Sequence, residues 1–258
     1  MTQTISLPDQ SVHIWLVDPT TITDPSLLAH YHQLMTADEH TKWERYRFDK
    51  DKHQHLVTRA LIRHTLSLYQ PSVAPADWRF EKNQHGKPSI VNPLEKPLFF
   101  NLSHTQKLAT IAVTHSALVG VDVERIKTVD QVRGLAERCF TEEENAYIFR
   151  GDADAVLWRF FKLWTLKEAY LKALGCGMSL SLQALSFSPK STPIQVRFDE
   201  SHDDNAEHWT FRTWQATTEH LLSLAINIPA TAPLSIQFFQ TTPAQEFSEI
   251  HCEEIVGR

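Results

Sequence analysis

A chain of 258 residues with 42% hydrophobic and 22% charged side chains can bury about three quarters of its unfolded surface, as one compact domain or two half-size ones. Its formal charge of -6 argues against general nucleic-acid binding, which calls for a basic domain. Cys139, Cys176 and Cys252 form neither a metal-type pair nor a disulfide framework. No apolar run approaches the ~18 residues of a membrane span, and Met1–Gln10 has no basic segment followed by an apolar core, so the cytoplasm is the expected compartment.

Val12–Val17 reads as a strand and Leu27–Met35 as a short amphipathic helix. The basic stretch Lys42–Lys52 runs into a helix ending near Tyr69, with Leu56, Val57, Ala60, Leu61, His64 and Leu68 on one face. Across it Lys42, Arg45, Arg47, Lys50, Lys52, Arg59 and Arg63 outnumber Glu44, Asp49 and Asp51. That patch suits an anionic ligand, though a salt-bridged helix end would carry the same residues. His53 and His55 make an H-x-H with no third ligand at recognisable spacing.

Gly86, Lys87 and Pro88 sit in a loop with turn chemistry; it could offer backbone N–H groups and an ammonium to a nucleotide, or be a plain turn. Phe99 and Phe100 lead into Asn101–Thr105, where Ser103 and His104 could bind a phosphate. As strand neighbours they point to opposite faces, which argues against a nucleophile–base dyad. Leu108–Thr114 and Leu118–Glu124 follow as β-rich runs close enough for a hairpin. Short helices are expected near Val132–Arg138 and Glu142–Arg150, and a long one from about Asp154 to a stop at Gly175 and Gly177. From Leu182 to Phe239 the pattern alternates like strands, and the last dozen residues read as a surface tail. The order of elements suggests two α+β halves, 1–116 and 117–258, with no sequence repeat to prove duplication.

The long helix carries charge on its apolar side. Leu157, Phe160, Phe161, Trp164, Leu171 and Leu174 recur at helical spacing, and Glu168 falls inside that stripe. A carboxylate there needs a cation, a metal or hydrogen bonds. Lys172 lies one turn further on and is suited either to phosphate charge or to an i,i+4 pair with Glu168. Lys167 could reach an anion or be solvated. In residues 119–126 the strand period puts Asp122 and Glu124 on one face. Two adjacent carboxylates call for a cation, and oxygen ligands suit Mg²⁺ shared with substrate phosphates, although a D-x-E on a solvated face would look the same. Thr141 and Glu144 fit a capping box.

Taken together, the G-K-P loop, residues 100–105 (FNLSHT), 119–124 (VGVDVE), 139–144 (CFTEEE) and 163–178 (LWTLKEAYLKALGCGM) resemble the 4′-phosphopantetheinyl transferases of the Sfp type. The resemblance implies an α+β fold of two similar α/β halves related by a pseudo-two-fold axis, the second half carrying the metal site. It implies Mg²⁺-dependent transfer of phosphopantetheine from coenzyme A to a serine hydroxyl of an apo acyl or peptidyl carrier protein, releasing adenosine 3′,5′-bisphosphate. Asp122, Glu124 and Glu168 would hold the metal, and Lys172 would stabilise charge on the attacked phosphate. Lys42, Lys87, Ser103 and His104 would contact the 3′-phosphate and adenine end, with Gly86 and Pro88 shaping the loop. Glu144 matches a glutamate proposed in the family to help deprotonate the serine. Fatty-acid, polyketide and nonribosomal peptide synthesis all stay open as pathways, and a monomer acting on neither nucleic acid nor membrane is expected. A metal-dependent nuclease and a CoA-holding module without turnover are the rival readings. The negative charge weighs against the first, and the full set of three carboxylates and Lys172 against the second.

Overall fold

The computed structural model describes residues 4–256, apart from the side chains of Asp154 and Met178. Met1–Gln3 and Gly257–Arg258, the ends of the two expected halves, lie outside that description, as does the Met178 side chain at the end of the 163–178 motif. The elements in chain order are β1 (Ser11–Val17), α1 (Pro25–Leu34), α2 (Ala37–Glu44), α3 (Asp49–Tyr69), β2 (Phe80–Lys82), β3 (Pro88–Ile90), β4 (Phe99–Thr105), β5 (Leu108–Thr114), β6 (Val119–Arg125), α4 (Val132–Cys139), α5 (Glu142–Ile148), α6 (Val156–Leu174), β7 (Leu185–Ser188), β8 (Gln195–Phe198), β9 (Thr210–Thr217), β10 (His220–Ile226), β11 (Ser235–Thr242), β12 (Glu246–Ile250) and β13 (Glu253–Glu254). The fold is mixed α+β, and no described helix is long and apolar enough to cross a membrane.

The chain divides into two compact units. The first gathers Met1–Glu81, Pro88–His115 and Ser235–His251; the second gathers Lys82–Lys87, Ser116–Leu234 and Cys252–Arg258. The units are thus not the consecutive ranges 1–116 and 117–258. The strand β11 returns to pair in parallel with β1, and its buried Phe239 stacks on Trp15 of β1.

The first unit is built on a five-stranded sheet in the order β12-β11-β1-β5-β4. Trp15, Ile111 and Val113 from this sheet pack with Val57, Ala60, Leu61 and Leu66 from α3 in one core. That helix keeps the apolar stripe read from the sequence. Helix α2 starts with a capping box between Thr36 and Glu39. The Glu39 carboxylate also accepts from Arg63 at 2.9 Å and lies 3.6 Å from Arg59, so part of the positive patch is internally neutralised.

In the second unit a four-stranded antiparallel sheet runs β13-β9-β10-β6, and α6 packs along β6 and β10. Phe160, Leu163, Leu166, Ala169 and Tyr170 supply the helix side of the core. The helix ends where Gly175, at φ +67°, donates its N–H to Leu171 O at 2.8 Å; that left-handed conformation is why glycine serves there.

Two expectations are corrected. The runs 108–114 and 118–124 form no hairpin: β5 pairs with β1 and β4, whereas β6 pairs with β10. β5 turns back on β4 instead, and β6 joins the other sheet, where the fully buried β10 is its partner. The described part of the last dozen residues, up to Val256, is not a frayed tail, since β12 pairs with β11, β13 pairs with β9, and Cys252 and Ile255 are buried.

Candidate active site

Strand β6 and helix α6 build the site. Their backbones nearly touch at Gly120, where an added Cβ would stand 1.9 Å from Ala169 O and 2.4 Å from Ala173 N. Glycine in a strand interior marks such close approach, and Gly120 is the signal for it in the sequence. The direction of that absent Cβ also assigns the faces. Gly120, Asp122 and Glu124 look toward the helix, and the buried Val121 and Val123 look away. Thr165 of α6 meets Ser223 of β10 at 2.8 Å, and Ser223 meets Thr213 of β9 at 2.9 Å. These buried hydroxyls fix α6 one turn before the charged residues.

At that point Lys172 Nζ donates to Asp122 Oδ1 at 2.6 Å, with the lysine side chain 29% exposed and the aspartate 5%. Lys172 thus reaches across to the strand, in preference to a pair with Glu168 alone. Glu168 is half-buried, and burial pushes its carboxyl above the ordinary range, with the Asp122 charge adding to the rise and Lys172 opposing it. The site therefore holds two mutually repelling carboxylates and one ammonium.

Among the described residues no group of three His, Cys, Asp or Glu side chains could hold a metal ion. The three-carboxylate cluster expected of Asp122, Glu124 and Glu168 is not gathered. The donors that do feel each other, Asp122 and Glu168, still fit Mg²⁺, which is commonly held by one or two carboxylates together with substrate phosphates and water. A divalent cation would also offset the burial and the Asp122 repulsion that together raise Glu168. Glu124 follows Asp122 on the same face and is half-buried.

Glu144 is fully buried inside a structural network. Its carboxylate accepts from Thr141 N at 2.9 Å and Phe187 N at 2.8 Å, and pairs with Lys167 Nζ at 2.6 Å. Lys167 is neither solvated nor open to an anion: its side chain is 1% exposed, burial lowers its pKa, and Glu144 opposes that. It also donates to the carbonyls of Leu182 and Leu185, each at 2.7 Å, and of Cys139 at 3.3 Å.

Gly86, at φ +86°, turns the loop around Asn83, whose Oδ1 accepts from Lys87 N at 3.0 Å. Lys87 Nζ donates to Ala173 O at 2.6 Å, and Asn83 Nδ2 to Gly175 O at 2.7 Å. The loop is therefore docked on the carbonyl end of α6, and burial lowers the Lys87 pKa to about 8. Pro88 opens β3. In the first unit Lys42 is exposed on α2, Ser103 is buried on β4, and His104 points outward. His104 lines a cavity of about 640 Å³ together with His53, Gln54, His55 and Lys50. The Lys42 charge contributes, after burial and Arg59, to lowering the His55 pKa, which places the lysine near that cavity.

Comparison with known proteins identifies the family. The 4′-phosphopantetheinyl transferase superfamily matches residues 118–225, and the 4′-phosphopantetheinyl transferase N-terminal family matches residues 23–116. The chain is 33% identical to a phosphopantetheinyl transferase of Thraustochytrium over 205 residues, covering 74% of this chain and 70% of that protein. It is 30% identical to the 4′-phosphopantetheinyl transferase HetI of Nostoc over 68% of this chain and 73% of the relative. Against Sfp of Bacillus subtilis the identity is 27% over 67% and 75%. The chain belongs to the 4′-phosphopantetheinyl transferase superfamily and is a transferase enzyme.

Proposed function

We propose that this enzyme moves 4′-phosphopantetheine from coenzyme A to a serine hydroxyl of an apo acyl or peptidyl carrier protein and releases adenosine 3′,5′-bisphosphate. The carrying observation is the carboxylate pair Asp122–Glu168, whose charges repel, with Lys172 2.6 Å from Asp122. Such a site suits phosphoryl transfer, which demands positioning and charge neutralisation more than covalent help. The serine oxygen forms a bond to the pyrophosphate phosphorus nearest pantetheine, and the bond from that phosphorus to the adenosine bisphosphate oxygen breaks. The hydroxyl proton passes to Glu168 or water. Mg²⁺ held by Asp122 and Glu168, with Glu124 as a third oxygen donor, would neutralise pyrophosphate charge. Lys172, part-exposed at the site's edge, presents a compact cation to the attacked phosphate.

Lys42, Ser103 and His104 are proposed to meet the 3′-phosphate and adenine end, which the cavity beside His104 supports. Gly86 and Pro88 shape the loop, and Lys87 meets phosphate only by leaving Ala173 O. Duplicated halves with pseudo-two-fold symmetry, a monomeric state and a cytoplasmic location belong to the same proposal; a sheet with a long helix in each unit supports the first.

The test is mass spectrometry of a panel of apo carrier proteins after incubation with enzyme, Mg²⁺ and coenzyme A. One phosphopantetheine added, lost with EDTA and with folded Glu168→Ala, is the expected result. No addition to any carrier would end this reading, and full activity of Glu168→Ala would end the metal assignment.

A further inference from the structure

Glu144 and Lys167 form a fully buried ion pair whose surroundings say what it holds. Lys167 lies next to Glu168 on α6, and its ammonium gathers three backbone carbonyls: Cys139 at the end of α4, Leu182 ahead of β7, and Leu185 on β7. Glu144 joins the start of α5 to β7 through Thr141 N and Phe187 N. The ammonium has three protons and four oxygen neighbours, so it has no donor left for a substrate. The carboxylate, with 0% side-chain exposure, takes two backbone N–H groups and the lysine, and offers no surface to an incoming hydroxyl.

The pair instead sets the helix. A residue whose tip is fixed to two backbone segments and to Glu144 of α5 fixes both the rotation and the axial position of its turn of α6. The neighbouring residue 168 is then aimed by the same constraint, and residues 169 and 173 seat against Gly120. We infer that Glu144 and Lys167 are positioning residues that hold Glu168 against Asp122, and that Glu144 takes no part in proton transfer. This rests on the transfer reading above for its catalytic consequence, but the placement of α6 can be read without it.

The experiment compares wild type, Glu144→Gln, Lys167→Met and the double variant Glu144→Met/Lys167→Met. Three quantities are followed at a temperature where each is folded: the methyl NMR shifts of Ala169 and Ala173 in the free protein, the calorimetric Kd for Mg²⁺·coenzyme A, and the pH profile of kcat. Positioning predicts that both single variants shift the two methyl signals and weaken Kd tenfold or more, while the acid limb of the profile stays where it was. Because replacing a buried pair by apolar residues is often tolerated whereas removing one partner is not, the double variant should recover Kd and kcat to within about tenfold of wild type. If it does not fold, Glu144→Gln decides alone. Proton transfer by Glu144 predicts the opposite: unshifted methyls, wild-type Kd, kcat lost in every variant lacking Glu144, and the acid limb gone. That pattern would overturn the inference. A wild type that binds no Mg²⁺·coenzyme A would sink the transfer reading, while the methyl shifts would still judge the positioning.

Discussion

Gly120→Ala is the sharpest probe of how the strand and helix share the site. The new methyl carbon would stand 1.9 Å from Ala169 O, about 1.5 Å short of ordinary van der Waals contact. Both obstacles are backbone atoms in the middle of a helix and cannot rotate away. Relief requires α6 to lift from β6 by about that distance, and Glu168 and Lys172 travel with it. Lys172 Nζ then leaves hydrogen-bond range of Asp122, from which it is now 2.6 Å distant. A misplacement on the order of 1 Å can cost about a hundredfold in rate, and overpacking a dense core costs about 1–3 kcal/mol or more. The variant should therefore show kcat/KM lowered about a hundredfold or more in a phosphopantetheine transfer assay, with a fall in Tm of several degrees. Wild-type kcat/KM together with wild-type Tm would refute the account of this contact.

Two further outcomes follow from the first unit. His55 is almost fully buried, and burial, with the charges of Arg59 and Lys42, lowers its pKa to about 4. The unfolded chain takes up that proton near pH 6.5 and the native state only near 4, so stability falls as pH drops through this window, by at most about 3 kcal/mol. Melting curves from pH 7.5 to 4.5 should be flatter for His55→Gln, and parallel curves would refute the assignment. Arg63→Met should cost about 3 kcal/mol in denaturant unfolding, since it strips Glu39 of its 2.9 Å partner and leaves the Trp78 carbonyl without its donor; a loss below about 1 kcal/mol would show that Arg59 and water suffice.

Periodicity and stop signals carried the local structure well. The stripe around Glu168 is a helix ending at Gly175, and the period of two in β6 does put Asp122 and Glu124 on one face. These properties depend on residues one turn or one pleat apart. Strand partnership does not, and so β5 and β6 read as a hairpin although β5 turns back on β4 and pairs on its other edge with β1, and β6 pairs with β10, roughly a hundred residues further on. The fate of the lysines was hidden for a different reason. Lys167 looks like any helix lysine until three backbone carbonyls and Glu144 surround it, and Lys87 looks like a phosphate grip until it meets Ala173 O. Backbone carbonyls have no signature in the sequence, so a cation solvated by them is indistinguishable from one solvated by water.

The parallel pairing of β1 with β11 bears on how the protein is made. At about 5–20 residues per second, roughly 200 residues separate synthesis of the first strand from that of its neighbour, so for ten seconds or more β1 stands with one edge open. The second unit's sheet, apart from the two-residue β13, comes from one continuous stretch and can close while β1 is still waiting. The first unit must remain unfinished, or shielded by a chaperone, until the chain comes back to it.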